Sequence, residues 1–205
     1  MLAREAEFTI LDFETTGSVE GYPTEAWQLG MATIRAGAID SDRTFNRLLH
    51  VGDRPFNPYA PGKHHQLRAE LKQAPALLSL WPELKEWWLD RPMVAHNVGT
   101  EQKFVRQTAP MHAIGPWIDT LKLARFVYPE WSSHSLEDLV TRLALAPQIE
   151  TRCPGLEPHD AYYDAVACAV LLLHFIHLPG WEQVTLEDLS QARPASFYAR
   201  NQESK

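Results

Sequence analysis

The stretch Phe8-Thr9-Ile10-Leu11-Asp12-Phe13-Glu14-Thr15-Thr16-Gly17 decides how the rest of the chain is read. Its apolar and β-branched residues run into a Thr-Thr-Gly turn signal, which predicts a first strand and its closing turn. Side chains alternate faces along a strand, so Asp12 and Glu14 put both carboxylates on one face and Phe13 on the other. No Lys or Arg lies within five residues on either side to neutralise them. A lone Asp-x-Glu is an ordinary strand-end turn, so its meaning depends on what else the chain brings to it.

Outward from this strand, residues 27–34 and 43–51 read as two further strands joined through Ala36-Gly37-Ala38, a hairpin signal. Pro55, Pro58 and Pro61 make 52–62 a loop. Leu77, Leu80, Leu84, Trp87 and Trp88 recur near helical spacing and predict a helix over 75–90. A short strand follows at 92–96, then a helix capped by Thr100 and running toward Pro110. Residues 117–119 read as a brief strand leading into a helix that ends before Pro129. Ser135 with Asp138 resembles a capping box for a helix to about residue 145, and 159–177 forms a long apolar helix. Three strands followed by alternating helices and strands predict an α/β domain with a mixed sheet over 1–178. A polar tail over 179–205 carries one short helical pattern from Thr185, and its cations Arg193, Arg200 and Lys205 suit either partner docking or a loosely ordered end.

The 205 residues are 45% hydrophobic and 22% charged, enough for one core in which roughly 70% of the unfolded surface is buried. Two cysteines make neither a disulfide framework nor a zinc ligand set. No apolar run reaches the ~20 residues of a membrane span. Glu5 and Glu7 stand where a secretory signal would be basic and then apolar, so the expected setting is cytoplasmic. The net charge of −7 speaks against a protein that coats nucleic acid with basic surface.

Two further clusters resemble the first. His159-Asp160-Ala161-Tyr162-Tyr163-Asp164 opens the long helix. Asp160 there complements the helix dipole, but Asp164 lies a turn deeper, four residues from another acid, which is locally unfavourable. A residue that breaks local rules without compensation is a functional candidate, and a bound cation would compensate. Ala95-His96-Asn97-Val98-Gly99-Thr100-Glu101 turns from a strand end into a helix, the place where open α/β sheets bind ligands. Four carboxylates and one histidine, with no cysteine set, favour Mg²⁺ or Mn²⁺ over zinc. So many acids would repel one another unless two divalent ions filled the site, an arrangement that cleaves phosphodiesters. His174 and His177 read instead as cations at a helix C-terminus, and Lys63, Arg68, Lys72, Lys103 and Arg106 as possible lining for a phosphate path or plain solvated faces.

Asp12-Phe13-Glu14-Thr15-Thr16-Gly17, then Ala95-His96-Asn97 with an acid four residues after Asn97, then Ile118-Asp119-Thr120, then His159 with Asp164 five later, resemble in this order the DEDDh family of 3′–5′ exonucleases. The resemblance covers about residues 6–178. It implies a ribonuclease-H-like fold, a five-stranded mixed sheet flanked by helices. It also implies Asp12, Glu14 and Asp164 as metal ligands with Glu101 in the third acid's place, and His159 as the general base, a role that suits an imidazole. Thr15, Thr16, His96 and Asn97 match positions that hold the terminal nucleotide, and Asp119 a supporting one. The implied partner is a single-stranded 3′ end, DNA ahead of RNA, with a polymerase or a second copy as a further partner. An oligoribonuclease-like enzyme and a weakly catalytic end-binding relative are the alternatives. Two departures stand out. Glu101 replaces the family's Asp and carries its carboxylate about 1.5 Å further, one carbon–carbon bond. Lys63-His64-His65-Gln66 stands where relatives carry a His-Gly pair.

Overall fold

In the computed structural model, which describes residues 1–192, strand β1 (Phe8–Thr15) lies at the centre of a five-stranded sheet. The tail cations Arg193, Arg200 and Lys205 lie outside the described residues. β1 pairs antiparallel with β2 (Ala26–Arg35), and β2 antiparallel with β3 (Ala38–Leu48). On its other side β1 runs parallel to β4 (Met93–Ala95), which runs parallel to β5 (Trp117–Asp119). The order β3-β2-β1-β4-β5 is the mixed sheet expected. The β2–β3 hairpin turns on Ala36 and Gly37, with φ of +51° and +75°. Positive φ at both central residues gives a turn whose twist matches the strands, which is why glycine sits there.

The third strand begins and ends earlier than its apolar pattern indicates. Asp40 and Asp42 belong to it, because an edge strand exposes alternate residues to water and tolerates charge. The segment expected as one helix over 75–90 is a 3₁₀ turn, Leu77–Leu80, followed by a helix over Trp81–Trp88. Pro82 lacks the N–H an unbroken helix would need there and is tolerated only in a first turn. A short helix, α1 (Arg68–Gln73), precedes it in sequence, so Trp81–Trp88 is α2. α3 (Gly99–Thr108) starts at Val98 without a side-chain cap, so Thr100 is inside the helix rather than its cap.

The remaining helices are α4 (Thr120–Val127), α5 (Leu136–Arg142), α6 (Ala146–Glu150), α7 (Ala161–Ile176) and α8 (Leu186–Gln191). Thr185 caps α8 with a full capping box through Asp188, while Val184 and Leu189 join the main core.

Two cores sandwich the sheet. Leu11, Phe13, Leu29 and Met31 face Trp87, Trp88 and Phe104 on one side. Phe8, Ile10, Ala32 and Ile34 face α7 on the other. α7 buries nearly its whole body, including Val166, Leu171, Leu172 and Phe175. Each such side chain contributes about 1.5–3 kcal/mol by leaving water. The face of β1 that carries Phe8 and Ile10 continues, at strand period, to Asp12 and Glu14. The apolar stripe that holds α7 therefore ends in carboxylates at the head of α7. Gly30, paired with Asp12 across the β1–β2 ladder, lets the two segments meet. A Cβ there would lie 2.1 Å from the backbone carbon of Ala161.

Candidate active site

At the head of α7, Asp160 caps the helix by accepting hydrogen bonds from the N–H groups of Tyr162 (3.0 Å) and Tyr163 (3.3 Å). Gln28 on β2 donates to the same carboxylate at 2.9 Å, so strand and helix head are tied directly. Asp160 is therefore occupied in structure. His159, just before it, adopts a left-handed backbone with φ of +65°, and its N–H donates to Asp164 Oδ2 at 2.9 Å. This turn brings residues 159 and 164 together on one side.

Asp12, Glu14, His159 and Asp164 all line one cleft of about 480 Å³ at the C-terminal end of β1. Glu14, His159 and Asp164 each place a donor atom within 4.8 Å of the others. Phe13, His96, Asn97, Leu121, Arg125, His134, Leu136 and Glu137 share the lining. Burial and mutual repulsion raise the carboxyl pKa values together. Asp12 lies well above the usual range through desolvation, then repulsion from Asp164, Glu101 and Glu14. Glu14 is pushed up to about 8 by desolvation, then by Asp164 and Asp160. Asp164 rises to about 7 through burial, helped by Glu137 and Asp160 and opposed by the His159 N–H.

Glu101 takes a different position. It sits in the first turn of α3, is only 4% exposed, and does not line the cleft. Burial raises its pKa to about 7, while its own N–H and that of Phe13 pull it back, consistent with a side chain curled toward its own backbone. Its Oε2 is buried without a hydrogen-bond partner among the described residues, a costly condition that a cation would relieve. Hard oxygen donors, raised carboxyl pKa values and an orphaned buried oxygen together fit a divalent ion such as Mg²⁺ or Mn²⁺.

The other expected substrate contacts divide. His96 and Asn97 reach the cleft, but both ring nitrogens of His96 are engaged, Nδ1 with Thr120 Oγ1 (3.0 Å) and Nε2 with the His134 carbonyl (2.9 Å). Thr15 and Thr16 do not line it. Thr16 Oγ1 accepts from the Glu25 N–H (3.1 Å) and shapes the β1–β2 loop. Asp119 caps α4, accepting from Leu121 N–H at 3.0 Å, and also receives the Asn97 N–H at 3.1 Å. Of the basic residues expected along a phosphate path, none lines the cleft; Lys63 pairs with Glu157 and Lys72 with Asp53. The cation that does line it is Arg125 on α4, which forms no salt bridge among the described residues. Arg125 and Glu137 carry no local sequence signal. Gly30 did carry one, since a glycine inside an apolar strand often marks close backbone approach.

The raised pKa values set a stability prediction. An acid whose folded pKa exceeds its unfolded value stabilises the fold fully below the unfolded pKa and loses that contribution as pH rises through the folded one. With Asp164 and Glu101 at about 7 and Glu14 at about 8, the metal-free protein should lose stability from the ordinary carboxylate range upward, and the last part of the loss, between pH 6.5 and 8.5, falls mainly to Glu14. The loss is roughly 1–3 kcal/mol. His64, His96 and His174, whose pKa values burial lowers, act oppositely but below this window. Calorimetry in chelator should show Tm falling across it, and added Mn²⁺ should close the gap, because ions bind the deprotonated acids. A Tm that rises in chelator over the same window would contradict the electrostatics.

An acid-lined cleft at the strand ends of a mixed five-stranded sheet has the chemistry of a metal-dependent phosphodiester hydrolase. The family model described as Exonuclease (RNase T) matches residues 9–172, most of the chain, and the chain belongs to that exonuclease family. Exodeoxyribonuclease 10 of Escherichia coli (strain K12) is 27% identical over 190 residues, covering 91% of this chain and 76% of that protein. DNA polymerase III PolC-type of Streptococcus sanguinis (strain SK36) is 28% identical over 176 residues, 84% of this chain but 11% of the polymerase. The chain thus spans about a tenth of that relative's length. The solved structure of Exonuclease X in complex with 5′ overhanging duplex DNA superposes with a TM-score of 0.62 at 26% identity, covering 89% of this chain and 99% of that one.

Proposed function

We propose that the protein removes nucleotides from single-stranded 3′ ends, DNA in preference to RNA, and releases nucleoside 5′-monophosphates. The observation that carries this reading is the convergence of Asp12, Glu14, Asp164 and His159 in one cleft, with the unpartnered Glu101 Oε2 buried beside it. Asp12, Glu14 and Asp164 would hold two Mg²⁺ or Mn²⁺ ions, with Glu101 reaching them by a change of rotamer. Held there, the ions would supply Lewis acidity for phosphodiester hydrolysis. His159, 44% exposed and on the solvent side of the acids, accepts the proton of the attacking water. Arg125 is placed to take a phosphate of the incoming strand, balancing a cleft that is otherwise acidic. The preference for DNA is supported by Exodeoxyribonuclease 10 and by the DNA held in the Exonuclease X structure. One phosphate-binding arginine in the cleft agrees with a net charge of −7, since gripping a short end needs few phosphate contacts.

The test is a cleavage assay on 3′-end-labelled single-stranded and duplex DNA and RNA with Mg²⁺ and Mn²⁺ in turn. Labelled mononucleotide should accumulate from the first time points, fastest on single-stranded DNA, and chelator should abolish it. Two-nucleotide RNA cleaved far faster than twenty-nucleotide substrates would favour the oligoribonuclease reading. Binding of ends without cleavage under either ion would favour the end-binding relative, for which the displaced Glu101 is the structural ground.

A further inference from the structure

We propose that Glu137 is a positioning residue that orients the imidazole of His159, forming with it a carboxylate–histidine pair at the rim of the cleft. Glu137 lies in the first turn of α5, a helix packed on α7, and no feature of the local sequence links it to His159 twenty-two positions on. In the fold its Oε1 sits 3.0 Å from His159 Nε2. His159 needs such a partner. Its backbone lies in the left-handed region, outside any helix or strand, and only its N–H, not its ring, is tied to Asp164. A ring with 44% side-chain exposure and a free χ2 would otherwise sample many orientations. A carboxylate oxygen at this distance would draw the ring hydrogen to Nε2, favouring one tautomer and leaving the lone pair at Nδ1 to receive a proton. A base held by a third group is the arrangement by which an imidazole acquires a single working orientation. Glu137 is itself more than half exposed, so the pair adds little to folding stability, and its value lies in geometry.

This inference rests on the proposed role of His159 as general base, and its test has one arm that does not need activity. Long-range ¹H–¹⁵N spectra of the imidazole rings at pH 8, with His159 assigned by loss of its signals in His159→Gln, should show the Nε2-protonated tautomer in the native protein. In Glu137→Ala the same signals should move to a mixture of tautomers, and in Glu137→Gln, which keeps an acceptor oxygen, they should largely return. Unchanged His159 signals in Glu137→Ala would overturn the inference even if the protein proved inactive. The kinetic arm uses single-stranded DNA and Mn²⁺. Glu137→Ala should lower kcat about tenfold to a hundredfold, the size of loss that follows when the outer-shell partner of a metal-bound histidine is removed, with KM within about twofold and Tm unchanged. In a His159→Ala background the same substitution should add nothing, because two residues acting as one unit are not additive. An equal loss in both backgrounds, or a weaker Mn²⁺ affinity on thermal-shift titration, would overturn it and assign Glu137 to α5 packing or to the ion instead.

Discussion

Asp12→Asn should end nucleotide release and at the same time make the metal-free protein more stable. The carboxylate of Asp12 stands in the repulsive field of Asp164, Glu101, Glu14 and Asp160, and burial adds to its cost. Asparagine keeps the shape and removes the charge, so the remaining acids ionise more easily. The expected gain is about 1–2 kcal/mol at pH 8 in chelator, or a Tm rise of about 3–6 °C for a chain of this size. The same change removes an anionic ligand from the proposed ion site. Lewis-acid stabilisation is worth several kcal/mol, and about 4 kcal/mol corresponds to a loss near 10³-fold in kcat. Opposite signs for stability and activity separate this outcome from simple misfolding. A variant that keeps full activity would remove Asp12 from the catalytic centre, and one with an unchanged Tm at pH 8 would show the repulsion to be screened.

Gly30→Ala should damage the fold and the site together. β2 is buried along nearly its whole length, and at Gly30 the backbone at the head of α7 comes close against it. An added methyl would sit 2.1 Å from Ala161 C and 2.2 Å from both Ala161 O and Tyr162 N. These are backbone atoms that cannot rotate away, so the helix head must move by more than an ångström. Overpacking of this kind costs upward of about 3 kcal/mol, which lowers Tm by roughly 6–12 °C. Asp160, His159 and Asp164 all hang from that helix head, so kcat should fall about a hundredfold in whatever folded fraction remains. Circular dichroism melts beside single-turnover rates would read both effects. Wild-type melting with wild-type turnover would mean that β2 and α7 approach less closely than the geometry states.

Gly30 also illustrates how unevenly the molecule is written into its chain. The period-2 run from Phe8 to Glu14 is legible because strand geometry is local, and it fixes which face the two acids share. The same holds for the five-residue interval from His159 to Asp164 and for the short helical pattern from Thr185, since one helical turn is set by nearest neighbours. Legibility fails where distant segments must meet. Thr100 has the chemistry of a cap, yet the backbone enters α3 two residues earlier, led there by the β4 strand end. Asp40 and Asp42 look like turn residues and lie in an edge strand, because the pairing of β3 with β2 outweighs their low propensity. The basic residues named for a phosphate path face other surfaces, and Arg125, which carries no motif, occupies the cleft.

From local spacing and composition alone follow the mixed α/β architecture, the acid pair on one face of the first strand, and a second acid group at the head of the long helix. Such statements depend on dihedral periodicity over a few residues, which the order of side chains encodes directly. Tertiary packing alone settles that α7 lies on β2 through Gly30, that Glu101 is buried behind the cleft with one oxygen unpartnered, and that Glu137 and Arg125 face it. Those positions depend on how helices seat on a twisted sheet. Contacts between residues far apart in the chain are summed over the whole core, and no short stretch of sequence carries that sum.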